Sequence, residues 1–459
     1  PSLRQLKLMV DARHTAITVL NTVDQRENTL DHILRALPQD KDYLSRRDRA
    51  LLNAMVYGVL RWRARLDHII AYFSNIPLHK IQPIVLNILR LGLFQIIFLD
   101  RVPDSAAVNT SVELTKQMKS SRASGFVNAL LRKAADKWER VPFSTFQEDP
   151  LAFLTSDQSI PKWLASRWLK RFSAETISTL ASATNAIPPI TLRTNTLKTN
   201  RAQLIRSLKD QTEHIEPTSY APDGVKMMNP KQSISHLAAY IKGWFQVQDE
   251  AAQLVALLLD PQPGESVLDA CAGLGGKTAH MAQLMQNQGT ITALDSNPEK
   301  LKQLGNEMPR LGVTMVQTVC QDLMIPFNRH GHQPFDRILL DAPCTGLGVI
   351  RRNPDIKWHT SVAQLTRQSK VQKQILGNLA DWIKPGGILV YAVCSMEPEE
   401  NEVIIDDFLK KRPDFVIDKN WGKLPEAIRS GAKSTVGYTT LKFIKYMDGF
   451  YFARLKRKQ

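Results

Sequence analysis

The chain has 459 residues, 43% hydrophobic and 23% charged, an ordinary globular composition with room for two to four domains at roughly 100–200 residues each. Sixty Lys and Arg against 44 Asp and Glu give a formal net charge of +16, which favours a polyanionic partner, nucleic acid or an anionic surface. Four cysteines, Cys271, Cys320, Cys344 and Cys394, with no C-x-x-C, argue against a disulfide framework or a structural zinc site and for free thiols in a reducing compartment.

The start, "PSLRQLKLMVDARHTAI", lacks the 7–15-residue apolar core of a signal peptide. Residues 1–140 read as all helix. Leu51, Met55, Val59, Trp62 and Leu66 draw one apolar stripe, and Ile81, Ile84, Val85 and Ile88 another. The breaks "LPQDKD" and "RVPDS" separate helices. "SRRDR" and "RWRAR" set charge between the apolar faces, with Arg61 and Arg65 one turn apart. They are either a solvated face or a phosphate-contacting patch. The run "IVLNILRLGLFQIIFL" is broken by Asn87, Arg90 and Gln95 and falls short of the ~20 residues that span a bilayer, so a buried helix is expected. With no membrane segment, the protein is expected in the cytoplasm.

"VPFSTFQEDPLAF" reads as a linker. A smaller mixed α+β region follows over 155–245. In it "PPITLRTNTLKTNRAQLIRSL" predicts a strand, a turn and a helix capped by Thr199 or Asn200. Arg193, Lys198 and Arg201 make it locally basic. From 246 to 459 strands and helices alternate. "SVLDACAGLGGKTAHMAQLM" is strand, glycine loop, helix; "TITALDSNPEKLKQLGNEM" is strand, Asp295, helix. "TMVQTVCQDL", "FDRILLDAPC" and "GGILVYAVCS" are further strands, and "GFYFARLKR" a last one at an edge. The pattern predicts a doubly wound α/β sheet with its ligands beyond the carboxyl ends of the strands. Cys271, Lys277, Asp295, Asp322, Asp341, Cys344 and Cys394 all fall at such ends, while Cys320 is expected within a strand, in the core.

"DACAGLGGKT" nearly spells the phosphate loop G-x-x-x-x-G-K-[ST], but Cys271 replaces the first glycine. An RNA-dependent ATPase is therefore one reading. Against it, the carboxylates of Asp295, Asp322 and Asp341 would repel a phosphate. Asp295, about 20 residues past the loop, suits the ribose hydroxyls of an adenosine. A nicotinamide enzyme is disfavoured because G-x-G-x-x-G is absent. An adenosine with an amino-acid tail and a sulfonium charge fits, and that ligand is S-adenosylmethionine (SAM). "DAPCTG" and "YAVCSMEPEEN" then put Cys344 and Cys394 on adjacent strand ends. Two thiols beside such a pocket point to covalent catalysis on a pyrimidine, because thiolate addition at C6 turns C5 into a nucleophile. Glu399 and Glu400, at a helix start after Pro398, read as dipole partners. Arg351 and Arg352 read as an RNA-facing loop.

"DAPCTGLGVIRRNPDIKW" and "VCSMEPEENE" resemble the signature motifs of the RNA cytosine-5 methyltransferases of the Sun/Fmu/NOL family. "LDACAGLGGKT" resembles that family's cofactor loop and "LRTNTL" its small RNA-binding subdomain. "RDRALLNAMVYGVLR" and "FVNALLRK" resemble a NusB domain. The resemblance covers essentially the whole chain. It implies a multidomain protein: an all-α NusB-like domain (1–140), a small α+β RNA-binding subdomain (155–245) and an α/β Rossmann-like class I SAM-dependent methyltransferase (246–459). It further implies methylation of C5 of a cytosine in 16S rRNA, naked or in a partly assembled small subunit, by a cytoplasmic monomer. Cys394 would be the nucleophile at C6, Cys344 would assist release, and Asp341 would meet the cytosine N3/N4 edge and border SAM. Cys271, Ala272, Gly273, Leu274, Gly275, Gly276 and Lys277 would cradle the methionine part. Asp295 would take the ribose and Asp322 the adenine. No metal is implied. The chain departs from the family where Leu274 replaces proline, Gly273 replaces alanine or serine, and Val393 replaces the threonine before the nucleophile. A non-catalytic rRNA-binding or assembly factor with a degenerate SAM fold is the other alternative.

Overall fold

The computed structural model describes residues 11–38, 43–325, 333–431 and 436–459. The end of the "LPQDKD" break and the first ten residues lie outside them. Two compact units form. One takes residues up to Ala186 together with Ile350–His359; the other takes Ile187–Val349 and Thr360–Gln459. Helices shorter than six residues are named by residue below.

The first unit is helical: α1 (Ala12–Asp24), α2 (Leu30–Ala36), α3 (Arg46–Phe73), α4 (Pro83–Phe98), α5 (Asp104–Gln117), α6 (Ser124–Lys137), α7 (Lys162–Arg171) and α8 (Ala174–Asn185). Local chemistry starts these helices. Ser45 caps α3 by accepting from the Asp48 amide, and Asp11 caps α1. The apolar stripes read from sequence meet in one core that includes Met55, Val59, Leu66, Val85 and Ile88. The polar residues of α4 are buried but partnered. Arg90 forks onto Asp67 at 2.7 and 2.8 Å, and Asn87 reaches Asn21 and Asp24. No described helix is long and apolar enough to cross a membrane.

Helix α3 breaks at Trp62, whose backbone angles are not helical (φ −106°, ψ 16°). The freed groups are taken by residues far along the chain. The Ala64 amide donates to Ser159 Oγ at 2.9 Å, Trp358 Nε1 donates to the Leu60 carbonyl at 2.7 Å, and Lys357 Nζ donates to the Arg61 carbonyl at 2.9 Å. Side chains inserted into the ladder are an ordinary cause of a sharp kink. Lys357, fully buried, also donates to Ser159 O and Asn185 Oδ1. Burial, with Arg61 nearby, pulls its ammonium well below the usual lysine range. Ser159 holds a left-handed φ of +54°, uncommon for a residue with a Cβ. Asp355 accepts from the Leu30 amide. The strap Ile350–His359 is thus an internal part of the helical unit.

This packing overturns the basic-patch expectation at Arg61 and Arg65, while Arg46 and Arg47 stay exposed. Arg61 is buried and donates to the Arg351 carbonyl at 2.7 Å, while Arg65 pairs with Asp157. Arg351 is itself 4% exposed, so it is not part of an RNA-facing loop surface.

The second unit begins with a four-stranded antiparallel sheet of β1 (Ile190–Thr194), β2 (Thr212–Pro217), β3 (Gly224–Pro230) and β4 (Phe245–Val247), in the order β2-β3-β1-β4. Helix α9 (Arg201–Leu208) packs with it, and Asn200 is the cap. Helix α10 (Glu250–Leu259) leads into the large sheet: β5 (Ser266–Asp269), α11 (Gly276–Leu284), β6 (Thr290–Asp295), α12 (Pro298–Leu311), β7 (Val316–Cys320), β8 (Phe335–Asp341), α13 (Val362–Leu379), β9 (Ile383–Val393), α14 (Glu402–Lys411), β10 (Phe415–Ile417), the six-residue α15 (Glu426–Gly431), β11 (Tyr438–Thr439) and β12 (Tyr451–Arg457).

The order is β10-β12-β9-β8-β5-β6-β7, parallel from β7 to β9, with β12 antiparallel to β9 and β11 beside β12. Continuous apolar runs such as Ile338, Leu339 and Leu340 are covered on both faces, as parallel strands require. Strand β12 is not at an edge as expected; it sits between β9 and β10, and its Tyr451, Phe452, Ala453 and Leu455 are buried on both faces. Cys320 is exposed rather than core, because β7 ends the sheet on the other side. The strand order reverses between β5 and β8, so their carboxyl ends flank the crevice where such folds hold ligands.

Candidate active site

The loop between β5 and α11 is shaped by glycines. Gly275, before α11, has φ +83°, and a Cβ there would lie 2.6 Å from Leu304 Cγ. Gly273 has φ +56°, a conformation where the missing side chain relieves strain. Its amide donates to Asp295 Oδ2 at 2.9 Å, while Asp295 Oδ1 accepts from the Asn297 amide at 2.9 Å. The end of β6 therefore holds the turn of the loop on β5.

Lys277 is not free to meet a phosphate. Its Nζ donates to Asp341 Oδ2 at 2.6 Å. Burial alone would lower this ammonium, but Asp341 and then Asp269 lift it above the ordinary lysine value. Thr278, which would serve Mg²⁺ in a phosphate loop, is buried and donates to Asp269 Oδ2 at 2.6 Å. Burial pushes the Asp269 carboxyl up to about 7, against the opposing pull of Thr278 and Lys277. The lysine and threonine of a nucleotidase are thus committed to carboxylates.

Arg193 is not a surface cation either. It is 1% exposed and donates to the Gly276 carbonyl at 2.7 Å and to Gln246 at 3.0 Å. Burial lowers it to about 9 despite Asp223 opposite. This side chain ties the small sheet to the first turn of α11.

A cleft of about 500 Å³ opens at the reversal of strand order. It is lined by the predicted residues Cys271, Gly273, Asp295, Asp322, Asp341, Cys344 and Cys394. Ala272, Leu274, Gly275, Gly276 and Lys277 do not line it. They shape the loop, and Lys277 reaches the cleft only through Asp341. Cys271 is half-buried, and burial followed by Asp341, Asp269 and Asp295 holds its thiol far above the ordinary range. Residues not singled out from sequence complete the walls: Lys300, Met324, and Val371 with Ile375 on α13. The four-residue spacing of the last two was the available signal. An apolar wall, three carboxylates and a glycine-shaped turn fit a flat nucleoside carrying a positive charge. The volume is in the range of small-ligand sites.

The Cys344 and Cys394 sulfurs lie 3.3 Å apart as a hydrogen-bonded pair. The bond to Cys394, then burial, the Cys394 charge and Glu400 raise the Cys344 thiol well above the ordinary cysteine range. Cys394 directly follows β9, and its carbonyl accepts from the Gly348 amide at 2.9 Å. Glu400, expected as a dipole partner of a helix, is instead fully buried and turned onto Thr345.

Residues 256–456 match the family described as 16S rRNA methyltransferase RsmB/F, residues 10–136 the NusB family, and residues 160–234 the ferredoxin-like domain of RsmF/B-like methyltransferases. The chain is 34% identical to a probable ribosomal RNA small subunit methyltransferase B of Bacillus subtilis, over 97% of this chain and 98% of that one. It is 33% identical to ribosomal RNA small subunit methyltransferase B of Vibrio cholerae, over 99% of each. Among solved structures, a methyltransferase homologue from Pyrococcus horikoshii superposes with a TM-score of 0.55 at 29% identity, over 67% of this chain and 98% of that one. NSun6 of Pyrococcus horikoshii, solved with the SAM analogue SFG, shares the fold with a TM-score of 0.56 at 22% identity, over 66% of this chain and 99% of that one.

Proposed function

Since this chain belongs to the 16S rRNA methyltransferase RsmB/F family, we propose that it methylates C5 of one cytosine in 16S rRNA through a covalent cysteine–C6 adduct. The observation that carries this reading is the pair of thiols 3.3 Å apart in a cleft that also holds Asp295 and Asp341. The enzyme is SAM-dependent, and bound SAM supplies an electrophilic methyl group.

In this reading the Cys394 sulfur forms a bond to C6 of the cytosine. Asp341, steadied by Lys277, meets the N3/N4 edge, where it accepts from the N4 amino group and orients the base. The C5–C6 π pair becomes the new C5–methyl bond as the methyl–sulfonium bond breaks, its electron pair staying on sulfur to leave the neutral thioether product. Cys344, as its thiolate, then takes the C5 proton and later passes it to solvent. The C5–H pair restores the double bond, and the S–C6 pair returns to Cys394 as it leaves. Asp295 takes the ribose hydroxyls, Asp322 lies by the adenine, and the backbone of Cys271–Lys277 receives the methionine part. The RNA reaches this cytoplasmic enzyme as rRNA or as an assembling subunit.

Bisulfite sequencing of 16S rRNA from a strain lacking this protein tests the reaction. One cytosine that resists conversion in the parent converts in the mutant, and the wild-type gene restores resistance. A protection pattern identical to the parent's rules the reaction out.

Asp295→Ala tests the cofactor assignment. It removes the ribose acceptor and also frees the Gly273 amide. Loss of two such bonds costs roughly 1–3 kcal/mol, or about 5- to 150-fold in SAM affinity. A dissociation constant unchanged by calorimetry would mean that the ribose is held elsewhere.

A further inference from the structure

Both neighbours of Cys344 are gripped from one direction. Glu400 Oε1 accepts from the Thr345 amide at 2.8 Å, and Oε2 accepts from the Thr345 hydroxyl at 2.6 Å. On the other side, Gln372 Nε2 donates to the Pro343 carbonyl at 3.0 Å and to Glu400 Oε1 at 3.1 Å. Glu400 and Gln372 are each 0% exposed. The Glu400 carbonyl is itself held, accepting from Tyr391 Oη at 2.7 Å. Residues 343–345 are therefore anchored at three backbone atoms or hydroxyls by two side chains from different elements.

A buried carboxylate is costly unless its oxygens are satisfied. Here both are satisfied by the segment that carries Cys344. Glu400 lies six residues after Cys394, so one short turn links the loops of both thiols. The Gly346 amide, which donates toward the Cys344 sulfur, belongs to the peptide that follows Thr345 and takes its direction from it.

We infer that Glu400, braced by Gln372, is a positioning residue that fixes the Cys344 sulfur at its distance from Cys394. This rests on the proposed two-cysteine reaction and deepens it. Glu400 touches neither substrate nor cofactor. It sets where the base stands when the C5 proton must leave, so its loss impairs release more than addition.

The test uses the full chain with SAM and 16S rRNA. In Glu400→Ala, kcat falls about 10- to 100-fold, the cost of misplacing a reacting group by about an ångström. The KM for RNA and the dissociation constant for SAM stay within about threefold, and a protein–RNA adduct builds up on a denaturing gel. Glu400→Gln keeps an acceptor for the Thr345 amide, while the Thr345 hydroxyl can turn to accept from the new amide. It recovers most of the lost rate. Thr345→Val, which keeps only the amide contact, falls between the two. Equal losses in Glu400→Ala and Glu400→Gln, a normal kcat in Glu400→Ala, or a parallel loss of SAM affinity would each overturn the proposal.

A second measurement needs no RNA. The rate at which iodoacetamide modifies Cys344, followed by mass spectrometry, changes at least about threefold in Glu400→Ala as the loop is released and a negative charge leaves the thiol. An unchanged rate overturns the clamp. A wild-type protein that leaves cytosine unmethylated while the variant's alkylation rate still shifts would instead overturn only the functional reading.

Discussion

Cys394→Ala yields neither methylated RNA nor an SDS-resistant adduct, whereas Cys344→Ala accumulates the adduct when SAM is supplied. The first variant has no sulfur to add at C6, so C5 never becomes nucleophilic. Its rate falls to background, a loss of several orders of magnitude that matches removal of a covalent nucleophile. The second variant still adds and still transfers the methyl group. It then stalls, because the group 3.3 Å from the nucleophile that would accept the C5 proton is gone. The wild-type enzyme should show a related pH effect. In the free protein the Cys344 thiol is raised by its bond to Cys394, by burial and by Glu400; in the adduct the first is gone but burial and Glu400 remain, so its basic form still becomes more populated as pH rises. Release therefore speeds up toward alkaline pH, and the adduct's lifetime shortens. A gel of both variants and the wild type with SAM and substrate RNA over a pH series checks all three outcomes. A stable adduct in Cys394→Ala and none in Cys344→Ala reverses the roles, and normal methylation in both refutes covalent catalysis.

Removing residues 1–140 leaves SAM binding within about threefold but costs RNA methylation at least about 100-fold, the scale of a displaced reacting group. The contacts that shape the cofactor loop, Asp295 to Gly273, Lys277 to Asp341 and Thr278 to Asp269, all lie within the second unit. The strap Ile350–His359 does not. It begins six residues after Cys344, and the deletion takes away Leu30, Leu60 and Arg61, which pair with Asp355, Trp358 and Lys357. Trp358 and Asp355 then lose these partners and Lys357 keeps only Ser159 and Asn185, on a strap that follows the Cys344 loop in the chain. Full-length Lys357→Met isolates the effect. It strands buried acceptors at Arg61, Ser159 and Asn185, at about 1–3 kcal/mol for such a group. Calorimetry should show a lower melting temperature with the SAM constant unchanged. Methylation by the truncated protein within tenfold of wild type would show that the strap needs no helical partner.

What was legible in the sequence followed from local rules. Apolar runs bounded by glycine or aspartate marked β5, β6, β8 and β9, and the strand-end residues converged on one cleft as a doubly wound sheet requires. The failures share a cause. Arg61 and Arg65 look like surface charge on a helix until residues roughly 90 and 290 positions away cover them. Arg193 sits in a basic stretch, yet its partner is the Gly276 carbonyl. Glu400 obeys the helix-start rule in sequence, but its carboxylate is claimed by Thr345, 55 residues earlier. Cys320 has the pattern of a buried strand residue, and only the strand order reveals that β7 is an edge. Patterns within one element report its type; a polar side chain's partner is set by tertiary packing.

The strap also orders events in time. A ribosome adds about 5–20 residues per second, and N-terminal domains ordinarily fold as they emerge. Here the N-terminal helices appear first but cannot finish. The broken turn of α3 keeps carbonyls at Leu60 and Arg61 whose donors, Trp358 and Lys357, are made about 170 residues after Ala186. For on the order of 10 s those groups must be served by water. The helices made before the strap are thus among the last elements to close, and they close only after the Cys344 loop has been synthesised.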